Sequence, residues 1–314
     1  MSSNNGEFDF GAGMPQRQPR KTAPVSVAPA RPATATAEAA PPAAADTGAG
    51  AAVADPAAGA LALANARRAV GAAAGIAVHV AGLDWQAIAD ELTAHGYAIV
   101  PGMLTADESA AMAAQYAQPQ LFRSRVVMAR HGFGSGEYQY FRYPLPSMVT
   151  ALRQALYGPL AAIANRWHEA LDIDIRFPAD HADFLARCHA AGQNRPTPLL
   201  LQYGAGDYNC LHQDLYGEHV FPLQAAILLS EPGTDFDGGE FVLTEQRPRM
   251  QSRVEVVPLR RGDMVIFPVN HRPAQGARGV YRVAMRHGVS RVRAVAGAAG
   301  PLRHTLGVIF HDAT

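Results

Sequence analysis

Two periods divide the chain. Between Leu83 and Leu171 apolar residues recur at helical spacing, and from Leu199 onward they fall into short runs parted by Gly, Pro and Asp. Trp85, Ile88 and Leu92 share one side of a helix that the pattern ends at His95-Gly96. A short strand, Tyr97 to Val100, follows, closed by Pro101-Gly102. Thr105 and Glu108 have the spacing of a capping box, which starts a helix running towards Tyr116. Leu152, Leu156, Leu160, Ile163 and Trp167 predict a longer helix over Ser147 to Leu171, with that stripe in the core. Between these helices lies FRSRVVMARHGFGSGEYQYFRYPLP, rich in Arg and Tyr and punctuated by Gly. It reads equally as the wall of a polar-substrate pocket or as a hairpin whose tyrosines cap the core.

The second half predicts strands. LLLQYGAG, PLQAAILLSE, GEFVLTEQ, VEVVPL, DMVIFPV, YRVAMRHGVSRV and RHTLGVIF are β-rich runs, about seven or eight strands in all. Gly238-Gly239 and Gly262-Asp263 read as tight turns feeding the strands after them. The expected architecture is mainly β with flanking helices, an antiparallel sandwich or jelly roll. No GxGxxG or P-loop is present, so a nucleotide-binding fold has no support.

Composition separates the N-terminal stretch from the rest. Residues 1–80 are Ala/Pro/Gly-rich, with few aromatics, and are expected to form a disordered tail. Residues 81–198 form a helical and mixed part packing on the core, and 199–314 the β core. AVGAAAGIAVHVAGL is too weakly apolar for a membrane span, and Arg67-Arg68 before it resembles an export signal only superficially. Cys188 and Cys210 exclude a disulfide framework and a cysteine metal site. As free, buried thiols they fit a reducing cytoplasm. Net charge is zero, with 27 basic and 27 acidic residues, yet the balance is local. From Arg247 to Arg303 there are twelve arginines against Glu255 and Asp263. Such a face would attract nucleic-acid phosphates, or its arginines are solvated and partly paired with acids of the N-terminal half.

The candidate chemistry centres on His212-Gln213-Asp214. In a strand, residues i and i+2 share a face, so His212 and Asp214 would hold one metal together while Gln213 faces away. The spacing alone is common. Two histidines and one carboxylate are the donor set of non-haem Fe(II) oxygenases, so a third ligand is needed from a distant strand. His219, His271, His287, His304 and His311 are the candidates. His287 is favoured by its strand-like run and by Arg303 in the next strand, where a cation would grip a dicarboxylate bidentately. His271 with Arg282 is the runner-up pair.

YGAGDYNCLHQDLYGE, DGGEFVL, RRGDMVIF, HGVSRV and RHTLGVIF together resemble the 2-oxoglutarate- and Fe(II)-dependent dioxygenase superfamily over Leu199 to Asp312. The resemblance implies a double-stranded β-helix with Fe(II) held by His212, Asp214 and His287. It gives Arg303 the distal carboxylate of the cosubstrate 2-oxoglutarate, with O2 as the oxidant. Tyr203 matches a tyrosine that hydrogen-bonds the cosubstrate in the AlkB-like branch. The same run is similar to a bacterial group linked to oxidative demethylation of damaged DNA bases. Two positions depart from the AlkB-like pattern: Leu201 stands where an asparagine would, and Ile309 where a second arginine would. DGGEFVL is instead similar to prolyl-hydroxylase-like members. The implied reaction is hydroxylation of a C–H bond, on a nucleobase, a peptide or a small molecule. A cupin-like binding module without turnover, or an interaction protein using its tail, are the readings of other classes. No membrane association or obligate protein partner is expected.

Overall fold

The computed structural model describes residue 71, residues 73–297 and residues 303–314. The disordered tail expected over 1–80 lies outside the described residues as far as residue 70. For 73–80 the expectation is corrected: residues 73–81 are helical (α1), and Ile76 and Val80, one turn apart, are buried in the same core as Leu92. Their Ala/Gly-rich surroundings hid this i, i+4 pair, which tertiary packing stabilises.

Helix α2 spans Trp85–His95, with Asp84 accepting from the backbone N–H groups of Gln86 and Ala87. It stops where its pattern stops, at Gly96, whose φ of 80° is left-handed. A Cβ at Gly96 would also lie 2.6 Å from Met285 Cε, so the position combines a turn with a close approach. Strand β1 (Ala98–Val100) and helix α3 (Ala106–Ala114) follow, and the Thr105–Glu108 capping box is present in both directions. Next come β2 (Phe122–Val127), β3 (Gly134–Ser135) and β4 (Glu137–Phe141), then α4 (Ser147–Ala170) and α5 (His181–Ala190). The core strands are β5 (Leu199–Tyr203), β6 (Tyr208–His212), β7 (Leu223–Leu228), β8 (Asp237–Gly238) and β9 (Phe241–Gln246). They continue with β10 (Arg253–Val257), β11 (Met264–Pro268), β12 (His271–Gly276), β13 (Gly279–Val289), β14 (Val292–Arg293) and β15 (Arg303–Val308).

These strands form a jelly roll of two large antiparallel sheets, with β8 and β14 paired in a separate two-stranded ribbon. The larger runs β1-β11-β7-β15-β5-β4-β2 and the smaller β10-β9-β13-β6-β3, with β12 also paired to β13. The sheets begin well before Leu199: β1, β2 and β4 belong to the larger one, so the Arg/Tyr-rich segment is a β-hairpin built into the core fold. No periodicity in that segment foretells which sheet it joins.

Alternation sorts the side chains of the large sheet. Leu200, Leu223, Ala225, Ile227, Leu306 and Val308 face the helices and pack with Leu152, Leu156, Leu160 and Trp167 of α4. Their neighbours Tyr203, Ala226 and Leu228 face the small sheet and meet Phe241, Leu243, Met285 and Val289. The helix layer is fastened at the C-terminus. Arg153 of α4 donates to Asp312 Oδ1 at 2.7 Å and to the Ile309 carbonyl at 2.9 Å, all of it buried. The outer layers thus leave the space between the sheets for the site.

Candidate metal centre

His287 of β13 lies directly opposite His212 at the end of β6 in the strand register. The two rings stand 4.1 Å apart by centroid. Asp214 lies beyond the end of β6, not within a strand as the spacing argument assumed. It still reaches the same side, because Gln213 turns away and donates to the carbonyls of Asn270 (3.2 Å) and Met285 (2.8 Å). One ligand atom from each of His212, Asp214 and His287 lies within 4.8 Å of the others. Asp214 Oδ1 is 3.5 Å from His212 Nε2, and Oδ2 is 3.3 Å from His287 Nε2.

Each donor is held. His212 Nδ1 lies 2.8 Å from the Cys210 carbonyl, which calls for a proton on Nδ1 and leaves the Nε2 lone pair free. Tyr216 donates to Asp214 Oδ1 at 2.9 Å, and Tyr140 donates to the Tyr216 oxygen at 3.2 Å. Burial, and then the His287 ring beside it, push the His212 pKa down, which favours the neutral imidazole a metal needs. For Asp214, burial alone would raise the pKa, but the hydrogen bond from His287 and the neighbouring rings outweigh it and hold the carboxyl ionised. Two imidazoles and a carboxylate converging on one point fit a divalent transition ion.

The centre opens on a cavity of about 340 Å³ between the sheets. At its far end Arg303 and Tyr203 lie opposite each other in the β15–β5 register, 1% and 0% exposed. Arg303 donates to Thr305 Oγ1 at 2.7 Å and makes no ion pair with a described acidic residue, while its Nε and the Tyr203 hydroxyl have no partner. Burial lowers the Arg303 pKa to about 10, so it stays charged at neutral pH. Gly239 makes room for it: its φ is 59°, and a Cβ there would lie 3.0 Å from Arg303 Cδ and 2.9 Å from Val292 Cγ2. Gly239, the second glycine of DGGEFVL, therefore seats the arginine.

The other histidines do not join. His219 and His271, with Arg282, line a separate hollow between α4, α5 and the start of β12. His304 faces Tyr116 edge-on, and His311 is buried with Nδ1 accepting from the Phe221 N–H. The basic face is also partly neutralised, by acids of the same C-terminal half rather than of the N-terminal half. Arg247, Arg253 and Arg272 pair with Glu245, Arg261 with Glu231 and Arg293 with Asp237. Cys188 is buried as expected, whereas Cys210 is exposed. No helix among the described residues is long and apolar enough to cross a membrane.

Sequence reasoning left Tyr216, Tyr140, Tyr138 and Gln224 unassigned, although all line the cavity. Tyr138 and Tyr140 carried a signal, since their i, i+2 spacing in the hairpin puts both rings on one face. Tyr216 likewise stands two residues after Asp214. Gln224 carried none.

Comparison with known proteins follows this geometry. A family model described as an oxygenase catalysing oxidative methylation of damaged DNA matches residues 136–313, more than half of the chain. Two uncharacterized proteins of Mycobacterium tuberculosis, from strains CDC 1551 and H37Rv, are 48% identical over 173 residues, 55% of this chain and 72% of each of theirs. Among solved structures, a Pseudomonas putida prolyl-4-hydroxylase is 16% identical over 73% of this chain and 99% of its own, with a TM-score of 0.38. A Burkholderia pseudomallei oxidoreductase of the 2OG-Fe(II) oxygenase family is 15% identical over 74% and 93%, with a TM-score of 0.42. Likenesses of that size decide nothing about substrate.

Proposed function

This chain belongs to the oxygenase family described as catalysing oxidative methylation of damaged DNA, and we propose that it is an Fe(II)- and 2-oxoglutarate-dependent dioxygenase hydroxylating the N-methyl group of a damaged nucleobase. His212, Asp214 and His287 hold the iron, Arg303 takes the distal carboxylate of 2-oxoglutarate, and Tyr203 donates to the same end. One observation carries this reading: a two-histidine, one-carboxylate cluster shares its cavity with a buried arginine that has no acidic partner among the described residues. A buried charge left alone costs several kcal/mol, and Arg grips a carboxylate through two parallel hydrogen bonds.

Bound iron, with 2-oxoglutarate and O2, supplies the oxidising chemistry, which yields succinate, CO2 and a hydroxylated carbon. The chain supplies position and exclusion of water. Tyr216 fixes one oxygen of Asp214, and Phe241, Phe267 and Val289 line the cavity with apolar surface. Tyr138 and Tyr140 stand edge-to-face at 5.3 Å on the opposite wall, and Phe133 and Leu211, which also line the cavity, are exposed. Flat aromatic walls suit a base turned out of its strand. Hydroxylation of an N-methyl group there ends in release of formaldehyde. A reducing cytoplasm suits ferrous iron and the free thiols alike.

The test is succinate formation by the full chain loaded with Fe(II) and given 2-oxoglutarate and ascorbate. Wild type is expected to turn over slowly without substrate, His212→Ala to be inactive, and Arg303→Ala to recover only at high 2-oxoglutarate. Substrate-dependent succinate formation is then compared between N-methylated single-stranded oligonucleotides and proline-containing peptides, with formaldehyde release expected from the oligonucleotides. No turnover together with no 2-oxoglutarate binding would overturn the enzyme reading. Turnover on peptides alone would overturn the nucleobase.

A further inference from the structure

Four residues that line the cavity each carry a buried polar atom with no hydrogen-bond partner: Tyr203 Oη, Arg303 Nε, His287 Nδ1 and Gln224 Nε2. The first three belong to residues already given a role. Gln224 is unassigned, although it is 3% exposed and an amide donor buried without an acceptor is costly. Such a group points to a ligand.

Strand register places it. On the inner face of the large sheet, Arg303 pairs with Tyr203, Thr305 with Leu201 and Leu228, and Gly307 with Leu199 and Ala226. One step further, Gln224 pairs with Phe267, and the β15–β7 register carried past Val308–Ala225 sets Ile309 abreast of it. Phe267 sets its ring 4.8 Å from that of His287, tilted by 58°, so this last row lies at the level of the metal ligands. The cavity floor thus has a cation and a phenol at one end, an amide at the other, and chiefly apolar residues between. Arg303 and Ile309 are six residues apart, roughly 20 Å along a strand, and the long side chains of Arg303 and Gln224 both line the cavity between. Phe267 and Ile309, abreast of the amide, offer it no side-chain acceptor.

We infer that Gln224 is a cosubstrate-binding residue whose Nε2–H2 donates to the metal-end carboxylate of 2-oxoglutarate, at the opposite end from Arg303. This assignment rests on the dioxygenase reading. It gives the cosubstrate a neutral donor where it meets the metal and a cation at its tail. The amide also explains why a polar side chain interrupts the inner row Ala226–Leu228 of β7.

The experiment measures 2-oxoglutarate affinity of the Fe(II)-loaded full chain under anaerobic conditions, by its charge-transfer absorbance, for wild type, Gln224→Met and Gln224→Glu. Gln224→Met should weaken 2-oxoglutarate about tenfold, the loss of one hydrogen bond to a charged group, with Fe(II) affinity unchanged. Its thermal midpoint should stay level or rise, since an unsatisfied buried amide has gone. Gln224→Glu should weaken binding further, because it sets carboxylate against carboxylate. A drop in affinity beside an undiminished thermal midpoint is what a merely structural role would not give. Wild-type affinity in Gln224→Met would overturn the assignment. Failure of the wild type itself to bind 2-oxoglutarate would instead overturn the dioxygenase reading on which it rests.

Discussion

Tyr216 donates its hydroxyl proton to Asp214 Oδ1 at 2.9 Å, two residues along the chain from the carboxylate it holds. That contact leaves Oδ2, 3.3 Å from His287 Nε2, free of the tyrosine. Tyr216→Phe removes the bond while keeping the ring. Fe(II) or Co(II) affinity is expected to fall about tenfold or more, read by direct metal titration. Unchanged affinity would show that Asp214 needs no help to stay aimed.

Gly239 and Arg303 are coupled by space rather than by charge. Gly239→Ala would force a side chain into a left-handed conformation and within 3.0 Å of Arg303 Cδ and 3.2 Å of Phe236 Cε2. The expected cost is about 1–3 kcal/mol of stability, with weaker 2-oxoglutarate binding because the guanidinium must shift. Urea unfolding and a cosubstrate titration on one preparation check both effects.

The buried clamp of Arg153 on Asp312 ties α4 to the C-terminus. Asp312→Asn leaves the guanidinium facing a neutral amide, and a broken buried pair typically costs about 3–5 kcal/mol. Burial would raise the Asp312 pKa, but Arg153 foremost, then His189 and Tyr143, hold it below its ordinary value. A depressed carboxylate stabilises above its unfolded pKa of about 3.9 and loses that contribution as pH falls through the folded value. Wild type should therefore lose stability steeply below about pH 4, and Asp312→Asn should lose less over the same range.

His181 and His311 titrate in a higher window. Burial, and then the charge on Arg153, push both down to about 4. The unfolded chain takes up these protons near pH 6.5 and the folded chain only near 4, so stability falls as pH drops between the two. Each histidine contributes up to about 1.4 kcal/mol per pH unit across that window. Chemical unfolding of the metal-free chain at pH 7, 5.5 and 4.5 reads the slope. His181→Phe should be flatter by one proton, although its loss of the 2.8 Å bond to the Phe310 carbonyl lowers stability at every pH.

Much of the site was legible because its parts are local or of distinctive type. His212 and Asp214 are two residues apart, and the order histidine–acid–histidine–arginine survives as a linear pattern. His287 was separated from His271 only by its strand and by the arginine after it. The register places His287 opposite His212, while His271 pairs with Ala284 on the far side of β13. Gln224 was illegible because a glutamine in an apolar run has no meaning until its neighbours are known. Cys210 was misjudged as buried because exposure at the end of a strand depends on what covers it.

The sequence by itself determined the elements and the reagents. Helical and strand periods, the Thr105–Glu108 cap, the glycine turns and the His212–Asp214 pair are each written within a few residues, and His287 and Arg303 follow them in order along the chain. The rest needed the fold: that 73–81 joins the core, that the Tyr138–Tyr140 hairpin becomes part of the large sheet, and that five arginines of the basic face pair with acids of the same half. Those outcomes depend on which strands lie side by side. Pairing is set by burial summed over the whole chain, and no short window of sequence contains that sum.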